Sequence, residues 1–478
     1  MTELIGGEML SWSDLDGKHG PGPAGGPVPA ALLGALTGRT LIAGPHDPAL
    51  IDAVPAGRIT LLVRGVADAE TLAARFASRP GVTICCGSLE KLAGAGTYDS
   101  VLALDGLDRL HSAEAAELSW DATLTQVLAL LRPGGRLMLA VENLFGLHRL
   151  PGPPAGPADT DWVVSDDHDP SRPASPERLR ARLAAAGVPV VRDYAVYPAP
   201  GATELLLGGE VLTDPALRGY LEARLGLALP PDAARLATGA LRHDLAGDLA
   251  PAWLLLAGDL SAGPAALVGG EELRRTGAGW VLGASEVAVP LGRTLEDLLL
   301  AACQRRALPA VRDLLTAWQE GAAAGVAADR VVVGAEGDLV GLAPAGPPVE
   351  ALRRFAARLL AAGYAHLWPS PVDEPGLTAL LAGMTGRELD PATIGPAAER
   401  PEPSRRELAV TVERLSRELA EARAQNEFLE RTVVSRDLEL KRLRQINALI
   451  TATTGGKAAN TLVGGLKAVR RAVRKARG

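Results

Sequence analysis

Aromatic side chains are scarce: Phe, Trp and Tyr together make up 3% of the 478 residues, so any core must be built from Leu, Ala and Val. Cysteine is scarcer still. Cys85, Cys86 and Cys303 cannot form a disulfide framework, and no His/Cys cluster has zinc spacing, so a reducing compartment fits the chain. Adjacent Cys85 and Cys86 are expected in a strand. Long apolar runs are missing too, since none approaches the roughly 20 residues a membrane-spanning helix needs. The opening MTELIGGEML has no basic stretch followed by an apolar core. The expectation is a cytoplasmic chain, neither secreted nor membrane-spanning.

What is present suits a large folded protein. Hydrophobic residues account for 47%, and the length implies two or three separate cores. The net charge of −7 is unevenly placed: residues 451–478 carry seven Lys or Arg and no acid, leaving −14 on the rest. An acidic body argues against nucleic acid as a specific partner, and the basic end calls for its own explanation.

Residues 1–38 read as a flexible lead-in, because SDLDGKHGPGPAGGPVPA is too rich in Gly and Pro for a regular element. From Thr40 strand and helix signals alternate. RTLIAG, RITLLVRG, VTICCG, YDSVLALDGL and RLMLAVEN read as strands; PALIDAV, DAETLAARFASR and SWDATLTQVLALL read as helices. That alternation predicts βαβ units and a mainly parallel, Rossmann-like sheet. PGPPAGPADTDW is a loop, and Ser175-Pro176-Glu177 opens a helix with an N-cap, a proline at the first turn and an early acid. VPVVRDYAVYPAP and TELLLG are expected as further edge strands, closing the domain near residue 208. Residues 209–395 read as a mostly helical accessory domain that includes the strand-like runs AWLLLAG and WVLGASEVAVPL. Residues 396–403 read as a linker.

Residues 404–450 carry heptads. Leu408, Leu415, Ala422, Leu429, Arg436, Leu443 and Ile450 share one seam position, and Val412, Leu419, Asn426, Val433, Leu440 and Asn447 the other. The pattern predicts a self-associating coiled-coil rod of roughly 70 Å. Asn426 is expected to favour one register and a low oligomer number, and Arg436 is a defect. Glu413–Arg417, Glu427–Arg431 and Asp437–Lys441 are spaced for ion pairs along the helix. Beyond it, residues 457–477 place Leu462, Leu466, Val469 and Val473 on one helical face, with Lys467, Arg470, Arg471, Arg474 and Lys475 beside or opposite it. A basic amphipathic helix suits an anionic membrane surface, peripheral at the inner face; the bland reading is a solvated basic tail.

Several motifs from 39 to 150 occur in the order found in class I S-adenosylmethionine (SAM) methyltransferases. LALLRPGGRLMLAVEN resembles that family's late helix–turn–strand signature, with Arg132-Pro133-Gly134-Gly135 at the turn. YDSVLALDGLDRL resembles its fourth-strand motif, with Asp99 as the early acid and Asp105 in the segment that follows. ENLFGLHRL (Glu142–Leu150) resembles a segment of methyltransferases tied to surface-polysaccharide genes.

The resemblance implies SAM as cofactor, and it assigns Gly44, His46, Asp47, Arg64, Ser88 and Asp105 to the cofactor site. The match is incomplete there. Ile42-Ala43-Gly44-Pro45-His46-Asp47-Pro48 keeps one glycine of the family's Gly-rich turn, with His46 and Pro48 where backbone should approach ligand. Arg64 stands where a ribose-binding acid is expected, unless Asp68 serves, and Ser88 or Glu90 where an adenine-contacting acid is expected. Two readings stay open: a divergent SAM site, or a fold that has lost SAM. Asp47 is expected to cap a helix, and His46, His111 and His148 to be surface or loop residues. No residue can be assigned as catalytic base, and no metal site is expected.

VAVPLGRTLEDLLLAACQRR and RVVVGAEGDLVGLAP resemble the C-terminal lobe of kinase-like phosphotransferases, but the catalytic loop is unrecognisable. Asp338 is expected in a hairpin turn rather than on a metal. The whole layout is similar to bifunctional methyltransferase–kinases of surface-polysaccharide synthesis. It implies a SAM-dependent methyltransferase acting in cell-surface glycan or glycolipid synthesis, or a noncatalytic scaffold that organises glycosyltransferases.

Overall fold

The computed structural model describes residues 2–18, 20–55, 57–92, 96–112, 118–150, 169–277, 279–368, 373–394, 405–452 and 464–471. The chain divides into two compact units, Met1–Ala398 and Glu399–Gly478. The expected loop 151–162 and linker 396–403 lie outside the described residues.

The first unit is built on one long mixed sheet. Its strands are β1 (Thr2–Gly6), β2 (Arg39–Ala43), β3 (Arg58–Val63), β4 (Val82–Gly87), β5 (Tyr98–Ala103), β6 (Leu131–Glu142), β7 (Val190–Tyr197), β8 (Leu205–Leu207) and β9 (Ala252–Gly258). Four short strands complete it: β10 (Ala266–Val268), β11 (Glu271–Thr276), β12 (Gly279–Leu282) and β13 (Val287–Ala288). The spatial order is β1-β4-β3-β2-β5-β6-β9-β7-β8-β10-β11-β12-β13. Strands β1 to β6 pair in parallel, and β9 runs antiparallel to both of its neighbours, β6 and β7. Cys85 and Cys86 lie buried in β4, as expected.

The parallel strands are continuous apolar runs because both faces are covered. One face packs Val28, Leu33 and Leu36 with Leu50, Ile51 and Leu72 from the helices Pro48–Asp52 and Val66–Arg75. The other receives Leu124 and Val127 from Trp120–Leu130, Leu179 and Leu183 from Pro176–Ala185, and Tyr220 and Leu221 from Arg218–Ala228. Ser175 caps its helix by accepting from Arg178 N at 3.3 Å. The turn Arg132–Gly135 is looped out of the β5–β6 ladder: Tyr98 pairs with Leu131 and Ser100 with Arg136, and Gly134 takes a left-handed φ of 70°.

Two expectations need correction. The stretch 1–38 is not a flexible lead-in where it is described (2–18 and 20–38): β1 adds a parallel strand at the sheet edge, and the Gly- and Pro-rich run crosses the sheet's end held by hydrogen bonds. Nor does the sheet close near residue 208. AWLLLAG is β9, inserted between β6 and β7, and the sheet continues to Ala288. The helical accessory core begins only at Leu295, where Leu299, Val311, Trp318, Phe355 and Leu381 pack together beside a three-stranded sheet of Arg293–Thr294, Val331–Val333 and Leu339–Gly341. Asp338 lies at the turn of the hairpin formed by the last two, as expected, its carbonyl accepting from Gly334 N at 2.9 Å.

In the second unit a helix runs from Arg405 to Ala452, and residues 464–471 are helical. Of the tail face predicted at 457–477, Leu466 and Val469 are described and exposed, whereas Leu462, Val473, Arg474 and Lys475 lie outside the described residues. Among the described residues no helix is long and apolar enough to cross a membrane.

Candidate functional site

The carboxyl ends of β2, β3, β4 and β5 lie side by side, which is where open α/β sheets bind ligands. The expected cofactor residues converge there. Gly44 ends β2 with a left-handed φ of 89°, and its N–H donates to Leu62 O at 3.0 Å. Asp47 caps the next helix as predicted, Oδ1 accepting from Ala49 N at 2.7 Å.

His46 is not a surface histidine. It is 1% exposed, with Nδ1 3.0 Å from Gly44 O and Nε2 accepting from Leu104 N at 3.1 Å. Those partners fix the neutral tautomer with the proton on Nδ1, and burial pushes the pKa down to about 4. The imidazole thus ties the β2 turn to the end of β5, across the ground a ligand would need.

Arg64 continues the line of β3, 6% exposed. Its Nε and Nη2 each donate to Asp14 at 2.8 Å, Nη1 donates to His111 O at 3.0 Å, and the guanidinium lies 5.5 Å from the Trp12 ring. Burial pushes the Asp14 carboxyl up, but the bonds and charge of Arg64 outweigh it and hold the group below its usual range. Asp68, the alternative ribose acid, accepts instead from Ser13 Oγ at 2.5 Å and Asp14 N at 2.8 Å.

Ser88 is fully buried, its Oγ donating to Glu90 at 2.5 Å. His111 sits 2.8 Å from the same carboxylate. Asp105 binds Arg109 through two nitrogens, one of them Nε at 2.6 Å; burial pushes its carboxyl up to about 6 even so. Arg109 then reaches Pro21 O at 2.8 Å and Gly22 O at 3.1 Å.

These contacts join two layers. Residues 9–18 and 20–24 form a strap across the strand ends, bridged to Gly65 at Met9 and to His46 at Ala24. Trp12 and Asp14 fill the space above β3, and the 21–24 stretch covers the β2 turn. Gly25 packs so closely on Asp47 that an added Cβ would sit 2.9 Å from the Asp47 Cβ. The hollow at the strand ends is therefore occupied by the protein's own side chains, and as folded here it does not fit SAM. A small cavity of about 10 Å³ remains between Gly25, Leu104, Ala140 and Leu254, roughly the space of one water.

Sequence reasoning missed Trp12, Asp14 and Arg109. Asp14 lies in the segment read as flexible, and the one signal was a Trp-Ser-Asp cluster ahead of the Gly/Pro run. The ENLFGL segment also proves structural. Asn143 Nδ2 donates to Asp248 O at 2.8 Å and Ala250 O at 2.9 Å, pinning the end of β6. Glu142 is held at about 2, the rise from burial being outweighed by His148, 2.9 Å away, and by Arg149. A carboxylate so firmly ionised is a poor proton acceptor. Among the described residues no cluster could hold a metal ion.

The order β4-β3-β2-β5-β6-β9-β7, with β9 reversed before the last strand, is that of class I methyltransferase sheets, so this unit has a methyltransferase-like fold. No family model matches the sequence, and no curated protein matches it either. Solved structures do resemble it. One is the 1,6-didemethyltoxoflavin-N1-methyltransferase of Burkholderia thailandensis with S-adenosylhomocysteine bound, at 23% identity over 34% of this chain and 68% of that one, TM-score 0.24. Another is geranyl diphosphate methyltransferase in complex with SAM, at 15% identity over 48% and 82%, TM-score 0.27. Likenesses at this level carry no argument about activity.

Proposed function

We propose that this protein is a noncatalytic, methyltransferase-like scaffold whose former cofactor hollow has become part of its core. The observation that carries the reading is the strap: Trp12, Asp14 and the 21–24 stretch cover the carboxyl ends of β2 and β3, where open α/β sheets bind ligands, and Arg64, Asp68 and Arg109 bond to it. The heptad helix supplies self-association, and the exposed Leu466 and Val469 beside Lys467, Arg470 and Arg471 supply attachment to an anionic membrane surface. The likeness of ENLFGLHRL to polysaccharide-linked methyltransferases supports a setting in cell-surface glycan synthesis, organising glycosyltransferases at the cytoplasmic face.

Calorimetry of the full chain against SAM and S-adenosylhomocysteine tests this. No heat is expected at high micromolar ligand; saturable binding at micromolar concentration contradicts it.

Gly44 favours a second reading, a SAM-dependent methyltransferase of surface glycans with a displaceable strap. It keeps the left-handed conformation of a cofactor turn, and a Cβ built on it would meet nothing closer than Leu110 at 3.4 Å. That reading requires residues 12–24 to leave, freeing Arg64 and Asp105, and calorimetry decides between the two.

A further inference from the structure

We propose that the helix Arg405–Ala452 pairs antiparallel with the same helix of a second copy, in the register that sets Asn426 against Arg436 of that copy. The inference deepens the self-association proposed above and rests on it. The seam residues Val412, Leu415, Leu419, Leu429, Val433, Leu440 and Leu443 are 48–61% exposed. An apolar seam of that length on a lone helix is an unfilled interface.

The two seam rows identify the occupant. In an antiparallel pair each layer joins a residue of one row to a residue of the other row on the second copy. The alignment that sets Asn426 opposite Arg436 also sets Leu419 opposite Leu443, Val433 opposite Leu429, and Leu440 opposite Ala422, a large side chain against a small one. It also puts two of the three polar seam residues in one layer, where the Arg436 guanidinium donates to the Asn426 amide oxygen, and leaves the third, Asn447, opposite Leu415 near the helix ends. Sliding by one heptad sets Arg436 against Val433 or Leu419 and buries its charge without a partner. A parallel pair sets Arg436 against Arg436 and Ala422 against Ala422, a like-charge contact and a void.

The flanks agree with the antiparallel register. Arg423 and Asp437 of opposite copies lie beside the seam, and Arg436 is already oriented by Glu439 of its own helix at 3.1 Å. One flank opposes it: Glu430 lies near its counterpart at the two-fold axis, in solvent that screens the repulsion.

Cysteine cross-linking in the full chain tests the arrangement, with the native cysteines buried and out of reach. Leu419→Cys and Leu443→Cys chains are prepared singly and co-expressed, then oxidised. The expected result is a mass of two chains by light scattering for the native protein, a cross-linked product from the co-expressed pair, and none from either variant alone. Cross-linking of Leu419→Cys to itself, or a mass of three or more chains, overturns the arrangement while leaving self-association standing. A monomeric native protein overturns both.

Discussion

His46 stays neutral down to about pH 4 because burial removes the solvation a cation would need, while in the unfolded chain it titrates near 6.5. Between those values the unfolded chain binds the extra proton, so the stability from this residue is full above pH 6.5 and is lost as pH falls towards 4, about 3 kcal/mol in all. Asp105 pulls the other way. Its folded pKa is raised from 3.8 to about 6, so its contribution is present below 3.8 and lost as pH rises through 6. The two opposing trends leave the native protein with a shallow stability profile across pH 4–6. A His46→Gln variant is expected to lose stability as pH rises across that window, because Asp105 then acts unopposed; urea unfolding at pH 4.5, 5.5 and 7 checks the sign. The Asp14–Arg64 pair makes a second prediction at this scale. Arg64→Ala leaves a buried carboxylate without its partner and is expected to cost about 3–5 kcal/mol, whereas Asp14→Leu with Arg64→Met is expected to cost much less. Equal losses by urea unfolding in the single and double variants would show that the pair is not buried.

At the scale of elements, what matters is how the strap is fastened. Its contacts with the body are mainly polar: Arg64 to Asp14, Asp68 to Ser13 and Asp14 N, and Arg109 to Pro21 O and Gly22 O. Arg109 is the clasp at its far end, and burial that would lower its pKa is outweighed by Asp105, so it stays charged. Arg109→Ala frees three strap carbonyls, those of Asp14, Pro21 and Gly22, and isolates Asp105. Limited proteolysis is expected to cut between residues 15 and 24 at least tenfold faster in this variant, with the sheet intact; unchanged cleavage would mean the strap is held elsewhere. The strands and helices of residues 39–142 were legible in the sequence because each is a short apolar run closed by a cap or a glycine, such as Asp47 ahead of Pro48. The strap was not legible. Its order comes from side chains 50 to 95 positions away, and a Gly/Pro-rich run looks the same whether or not a distant arginine holds it.

For the whole molecule, sequence and structure agree on a parallel-rich α/β sheet followed by a helical core and part over their boundaries. β9 was readable as a strand but not as a member of the first sheet, since an antiparallel insertion between β6 and β7 leaves no local mark in AWLLLAG. The expected cofactor residues did assemble at one sheet end, as the motif order implied. Their partners could not be foreseen, because Arg64 in place of an acid reads as a loss until Asp14 is seen opposite it. The proposed scaffold reading requires that the strap stay closed over the carboxyl ends of β2 to β5 in solution. Hydrogen exchange over residues 9–24 and 44–47, with and without millimolar S-adenosylhomocysteine, measures that closure directly. Slow exchange, comparable to the central strands and unaltered by ligand, is the predicted result; exchange within seconds, or protection that appears only with ligand, would contradict it.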